Sequence, residues 1–216
     1  MIALLVGLVV GYVLAIPPGP IGIAAVRTGL KHGAAASRSL SLGAGLFDVA
    51  YCFFAMTASV GLAQVLKLDS ATSPVVTYAA VGVAAGIALL GVYQFRNPIV
   101  LNTGEVGGAP VRTGKPFVTG TAYALANLAN PTFIPSLLVM SAYILATGLV
   151  ERSLADRVMF SVGFGVGNYA WLVTLVNIFL RYKHRMPERA FSLVQRIMAA
   201  LVVIFGLVTG IRLVML

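Results

Sequence analysis

The sequence predicts an all-α integral membrane protein whose six transmembrane helices form two inverted three-helix repeats, with the first and fourth helices broken. Three observations predict this fold class. Of the 216 residues, 59% are hydrophobic and only 10% are charged, whereas a soluble domain carries about 25% charged residues. Prolines interrupt the first and fourth apolar segments at corresponding places, and the two halves share a pattern of glycine, acidic or amide, and aromatic residues.

Six segments are apolar over the roughly 20 residues that a helix needs to cross a bilayer. They are Ile2–Val26, Ser39–Leu66, Pro74–Phe95, Phe117–Val150, Val158–Leu180 and Phe191–Leu213. The first has no basic residue before it and no small-residue cleavage site, so we expect a retained helix rather than a signal peptide. The longest connection is rich in glycine and predicts a flexible linker. It divides the chain into a first repeat (1–96), a cytoplasmic linker (97–116) and a second repeat (117–216).

The distribution of positive charge predicts the orientation. Of the 15 Lys and Arg residues, eleven lie in or beside the connections between spans 1 and 2, 3 and 4, and 5 and 6. Connections rich in Lys and Arg stay in the cytoplasm, which places both termini outside. The net charge of +9 therefore reflects topology, with attraction to anionic lipid as a secondary effect, and does not indicate nucleic-acid binding.

The breaks are Pro17-Pro18-Gly19-Pro20 in the first span and Asn130-Pro131 in the fourth. A proline inside a helix removes a backbone hydrogen bond, and hydrocarbon tolerates the freed groups only against protein or a wet cavity. Corresponding breaks in two halves indicate a transporter's binding site. Gly19 and Asn130 are N-cap residue types before a proline at the first helical position. We therefore expect a half-helix at each break whose free amide groups attract an anion; alternatively, both breaks only shape helix packing.

Aligning the two breaks brings further matches into register. The second span carries Gly43-x-Gly45-x-x-Asp48-x-x-Tyr51, and the fifth carries Gly163-x-Gly165-x-x-Asn168-x-x-Trp171. Because three spans is an odd number, the second half crosses in the opposite sense, which makes the repeat inverted. At a rise of 1.5 Å per residue, the breaks lie about 20–22 Å along their spans, and the Asp and Asn about 14–15 Å along theirs. All four positions therefore fall near the middle of a hydrocarbon core about 30 Å thick.

Asp48 is the only carboxylate well inside a predicted span. A charge at mid-bilayer costs about 2.5–3.5 kcal/mol, so such a residue is a functional candidate. An acid beside two helix N-termini is complementary to a zwitterion, hence to an amino acid; alternatively, Asp48 is protonated and only holds helices together. Asn127, one turn before Asn130, either lines the same cavity or caps freed carbonyls. Tyr51 and Trp171 either flank the site or pack against other helices.

Motifs for metalloprotease, nucleophilic or phosphate-binding chemistry are absent from the sequence. We therefore expect no enzyme activity, no cofactor and no bound metal, and transport driven by an ion gradient, exchange or facilitation. A metal exporter is a competing prediction, although one carboxylate and the single cysteine Cys52 make a poor divalent site. A non-transporting membrane scaffold is another, and it predicts dry, packed breaks.

At Pro18-Gly19-Pro20, Gly43-Ala44-Gly45-Leu46-Phe47-Asp48 and Asn130-Pro131, the chain resembles the LysE/RhtB family of bacterial amino-acid exporters over nearly its whole length. The resemblance implies export of small amino acids or related metabolites across the bacterial inner membrane, by antiport with protons, and is compatible with a homodimer. The chain departs from many members in having Phe47 for Gly, Ile21 for Asn and Thr132 for Lys. In the expected mechanism Asp48 alternately binds a proton and the substrate ammonium. The expected substrate-binding residues are Pro18, Gly19, Pro20, Asp48, Asn127, Asn130, Pro131 and Asn168.

Overall fold

The computed structural model describes residues 1–16, 19–65, 115–129, 133–146 and 148–182, with single helical positions at 85, 89, 92, 96, 200, 203 and 204. Its elements are six helices: α1 (Ile2–Leu14), α2 (Pro20–His32), α3 (Ala34–Val65), α4 (Pro116–Asn127), α5 (Phe133–Ala146) and α6 (Leu154–Tyr182). The all-helical class is therefore confirmed for the described part of the chain. The predicted third and sixth spans lie almost entirely outside it.

Two described helices are long and apolar enough to cross a membrane. The qualifying segments are Ala34–Gly61 within α3 and Leu154–Arg181 within α6, each of 28 residues. At 1.5 Å per residue each is about 42 Å long, which exceeds a hydrocarbon core of about 30 Å. They correspond to the predicted second and fifth spans. The complete six-span arrangement stays a prediction.

The first and fourth predicted spans are each divided into two helices. α1 ends at Leu14 and α2 begins at Pro20, with Gly19 as its N-cap in extended backbone. These observations confirm the predicted start of this half-helix. Proline suits the first helical position because it has no N–H group to leave unpaired. In the other half α4 ends before α5 begins at Phe133. Asn130 and Pro131 lie outside the described residues, so their capping role stays a prediction.

The connection between the first two spans, predicted to cover residues 27–38, is almost entirely helical. α2 runs on to His32, α3 begins at Ala34, and only Gly33 separates them. Gly33 has φ of 85° and ψ of 169°, a conformation that side-chain-bearing residues avoid. Ser37 Oγ then donates to Ala25 O at 2.7 Å, so α2 folds back along the start of α3 as a tight hairpin.

The packing places the centre of α3 between two apolar clusters. α1 lies along α6, α4 lies along α3, and α3 and α6 pack against each other. One cluster joins α1, α5, the second half of α3 and the first half of α6 around the fully buried Phe160 and Met56. The other joins α2, Leu40 and the end of α6. Asp48 lies in α3 between Leu40 and Met56, and therefore between the two clusters.

Candidate functional site

The two residues predicted as counterparts, Asp48 and Asn168, contact each other. Asn168 Nδ2 donates to Asp48 Oδ2 at 2.5 Å, and Asp48 is only 5% exposed. A buried carboxyl group needs a hydrogen-bond partner or a counter-charge. Within the described residues Asp48 has this one amide partner and no basic one. The carboxyl group is thus held in place without being neutralised by a protein cation from that part of the chain.

The contact is built where α3 and α6 approach most closely. One turn before Asp48 and Asn168, a Cβ on Gly45 would lie 3.3 Å from Gly165 O, and one on Gly165 would lie 2.7 Å from Gly45 O. Farther along α3, Arg157 Nη1 donates to Thr57 Oγ1 at 3.1 Å. Residues later in α3 therefore contact residues earlier in α6. The two helices are antiparallel, and equivalent residues meet at their crossing.

Contacts in the two halves correspond residue by residue. We align α4 with α1 at a spacing of 113 residues, which superposes the breaks, and α6 with α3 at 120, which superposes Asn168 on Asp48. Gly7 of α1 lies against the carbonyl group of Phe160 in α6. Its counterpart Gly120 of α4 lies against the carbonyl group of Leu40, the counterpart of Phe160 in α3. Each broken span thus packs against the intact span of the other half.

The reverse contacts correspond in the same way. Gly163 of α6 lies against the carbonyl group of Leu4, and its counterpart Gly43 of α3 lies against that of Phe117. Residues 4 and 117 are again 113 apart. The absence of side chains at these glycines lets the helix backbones touch, which is typical of membrane helix pairs.

The start of α2, just after the first break, lies beside α6 near Asn168. A Cβ on Gly22 would lie 3.5 Å from Leu175 Cδ2 and 3.9 Å from Leu172 Cδ2, and Leu172 is one turn beyond Asn168. Gly19 O accepts the first intrahelical bond, from Ile23 N–H at 3.1 Å. The amide groups of Ile21 and Gly22 precede that bond and have no acceptor in their own helix. Gly19 is half-buried, Pro20 is exposed, and Pro18 lies outside the described residues.

The second break has its described flanks against the same part of α3. Tyr51, one turn after Asp48, donates from Oη to Ala124 O at 3.3 Å. The Phe133 ring, at the start of α5, meets the Tyr51 ring edge-on with centroids 5.5 Å apart. Asn127, at the end of α4, is half-buried. Residues on both sides of this break therefore lie near Tyr51, while Asn130 and Pro131 are not described.

The family model of the LysE type translocator matches residues 12–212, which include both breaks, Asp48 and Asn168. The chain belongs to the LysE type translocator family. This confirms the family resemblance and places the chain among membrane exporters, in a family of transporters rather than enzymes. Neither the curated proteins nor the solved structures gave a significant match.

Tyr51 has a role in this translocator that the sequence left open between lining the site and packing. Leu128 N–H donates to Leu125 O at 3.1 Å instead of to Ala124 O, four residues back, as a regular α-helix would require. The Tyr51 hydroxyl group takes the place of that missing donor. Its place in the repeated motif was the available signal, but the acceptor lies 73 residues away in the sequence.

Other polar groups of the translocator are buried without a partner. Among the described residues, the atoms with no hydrogen bond are Ser41 Oγ, Thr121 Oγ1, Ser141 Oγ and Trp171 Nε1. The same part of the chain contains no cluster of three or more His, Cys, Asp or Glu side chains. Cys52, one turn beyond Asp48, is a buried free cysteine.

Proposed function

We propose that this LysE type translocator exports small amino acids or related metabolites across the bacterial inner membrane in exchange for protons. The observation that carries the proposal is the Asp48–Asn168 pair. It joins a buried acid to a single amide partner, at a crossing near the described flanks of both breaks. An acid in such a position is available to a proton or to a cationic group, and the α-ammonium of an amino acid is such a group.

We also propose that 1–96 and 117–216 are inverted repeats joined by a cytoplasmic linker, with both termini outside. The antiparallel crossing of α3 and α6 supports this. Two antiparallel helices that meet through equivalent residues are related by a two-fold axis perpendicular to them. For helices that cross a membrane, such an axis lies in the membrane plane, as in inverted-topology transporters.

In the proposed cycle, the substrate enters from the cytoplasm and its ammonium binds Asp48, displacing a proton to that side. The half-helix N-termini at Gly19-Pro20 and Asn130-Pro131 attract the carboxylate. After the site opens outward, a proton from outside replaces the ammonium on Asp48, and the substrate leaves. Asn168 holds the carboxyl group in place through its amide hydrogen bond.

The packing indicates which helices move together during transport, and these groups differ from the two sequence repeats. α1 is in backbone contact with α6, and α4 with α3, so each broken span is held to the other half's intact span. Close-packed pairs shift as units more easily than they separate, since packed interfaces are not continuously deformable. We therefore propose that an α1–α6 body and an α3–α4 body rock about the α3–α6 crossing.

The test is efflux of labelled L-alanine, L-serine and L-threonine from proteoliposomes under an imposed proton gradient. We expect Asp48→Asn to reduce gradient-driven efflux at least tenfold, because the amide can neither carry a proton nor pair with an ammonium; an interaction with a charged group is worth about 1.5–3 kcal/mol. The matched control is Asp156→Asn, at the start of α6, which should keep wild-type efflux. Its Oδ2 accepts a bond from Glu151 N–H, and an asparagine oxygen can accept it too.

Unchanged efflux in Asp48→Asn would show that the mechanism is wrong. Transport of divalent cations without any response to amino acids would establish the metal exporter instead. A wild-type protein that moves no solute in this assay would support the scaffold.

A further inference from the structure

Trp171 carries a buried indole N–H group with no acceptor among the described residues. Buried tryptophan N–H groups usually find a partner, and a donor that loses water without gaining an acceptor destabilises the protein. An unpartnered buried group in a native structure therefore calls for an explanation, such as a ligand.

The other three unpartnered groups differ from it in chemistry. Ser41, Thr121 and Ser141 have hydroxyl groups, which can rotate and donate to the carbonyl group four residues back on their own helix. The indole N–H is a donor only and points in the plane of its ring. That ring packs edge-on against Tyr12, with centroids 5.4 Å apart and planes at 81°. Of the four groups, Trp171 Nε1 is therefore the one that needs an acceptor from elsewhere.

The counterpart of Trp171 in the first half is Tyr51, which shows what this position does when an acceptor is present. Tyr51 Oη donates to Ala124 O at the end of α4. The counterpart of Ala124 is Gly11, near the end of α1, and Gly11 O already accepts a bond from Ala15 N–H at 3.1 Å. Gly11 O thus has a backbone donor of its own, and Trp171 Nε1 has no acceptor among the described residues.

The free donor lies on α6 about one turn from the hydrogen-bond partner of Asp48. Trp171 follows Asn168 by three residues, about 4.5 Å along α6, and Asn168 is bonded to Asp48. Trp171 and Ile21 pack against the same apolar cluster, and a Cβ on Gly22 would lie 3.9 Å from Leu172, the residue after Trp171, so the start of α2 lies near this part of α6. The indole N–H and the first amide groups of α2 are donors, and a carboxylate is an acceptor-only group.

We infer that the Trp171 indole N–H donates to the carboxylate of the transported amino acid, and that Trp171 and the start of α2 form the carboxylate subsite. This inference rests on the proposed function. It assigns the ammonium to Asp48 and the carboxylate to Trp171 with the start of α2.

The first test uses the fact that Trp171 is the only tryptophan in the chain, so that intrinsic fluorescence reports on it alone. Purified wild-type protein is titrated with L-alanine, L-serine and L-threonine, and with their carboxamides, which keep the ammonium but lack the carboxylate. We expect the transported acids to shift or quench the emission saturably, and the amides to leave it unchanged. Emission that does not respond to an acid that the same protein transports would overturn the inference.

The second test is Trp171→Phe, which keeps an aromatic ring but removes the donor. We expect KM for the transported acid to rise about tenfold to a hundredfold, as for loss of a hydrogen bond to a charged group, with kcat less affected. The preference for acid over amide should disappear. Tyr51→Phe is the matched control, since its hydroxyl group bonds the backbone, and it should keep that preference.

An undiminished preference for acid over amide in Trp171→Phe would overturn the inference while leaving the proposed export intact. If the wild-type protein transports no amino acid, the proposed function itself fails. If Trp171→Phe does not fold, the fluorescence titration of the wild-type protein still decides.

Discussion

The hydrogen bond between Asn168 and Asp48 gives the sharpest prediction about the site. Asn168→Ala removes the Nδ2 donor that lies 2.5 Å from Asp48 Oδ2, and water cannot easily replace it because Asp48 is 5% exposed. An orphaned buried group costs about 1–3 kcal/mol, whereas hydrogen bonds between membrane helices average about 0.6 and reach about 1.7 kcal/mol. We therefore expect the free energy of unfolding to fall by about 1–2 kcal/mol, which for a chain of this size lowers Tm by about 2–8 °C.

A second substitution identifies the cause of that loss. Asp48→Asn removes the acid, and an unpaired amide is cheaper to bury than an unpaired carboxylate. We expect Asp48→Asn alone to change the free energy of unfolding by less than about 0.5 kcal/mol, the range of well-tolerated substitutions. In that background, Asn168→Ala should cost about 0.5 kcal/mol or less, so that the cycle is non-additive by at least about 0.5 kcal/mol.

The assay is thermal unfolding of the purified variants in one detergent, followed by circular dichroism, with efflux measured in parallel. Asn177→Ala is the matched control, because Asn177 is an exposed asparagine on the same helix. Equal losses in Asn168→Ala and Asn177→Ala, or an additive cycle, would refute the reasoning. Asp48→Asn should unfold at nearly the wild-type Tm but lose efflux, so the two measurements should give different results for this variant.

Two further predictions concern the backbone. Gly7→Ala places a methyl group against the carbonyl group of Phe160 and should lower the free energy of unfolding by about 1–3 kcal/mol. At Gly61 in α3 a Cβ meets nothing within 4 Å, so Gly61→Ala should raise it by up to about 1 kcal/mol. Equal Tm values for the two variants would contradict this prediction. Gly33→Ala forces a side chain onto φ of 85° and should cost about 1–3 kcal/mol, which the same melts measure; an unchanged Tm would show that the turn relaxes.

The sequence predicted those features that depend on neighbouring residues. Gly19 and Pro20 predicted the start of α2, because helix capping and the missing proline N–H depend only on residues within one turn. The tight turn at Gly33 was not predicted, because the basic residues around it were assigned to a longer connection between the spans. Lys31 and His32 instead end α2, where positive charge is favourable to the helix dipole.

The pairing of Asp48 with Asn168 could be anticipated because the repeated motif gave both residues the same place in equivalent helices. The sequence could not show that each broken span packs against the intact span of the other half. A glycine such as Gly7 or Gly120 indicates close contact with some helix, but its sequence neighbourhood does not say which one. Only the packing shows that each broken span lies along the intact span of the other half.

The sequence by itself determined the class of protein, the two breaks and the identity of the buried acid, because hydropathy, proline and mid-span charge act on the chain locally. The tertiary structure decided which groups find partners. Tyr51 and Trp171 hold the same place in the repeat, yet Tyr51 has an acceptor and Trp171 has none. Tyr51 finds its acceptor 73 residues away in the sequence, on a helix that lies beside it only when the chain has folded.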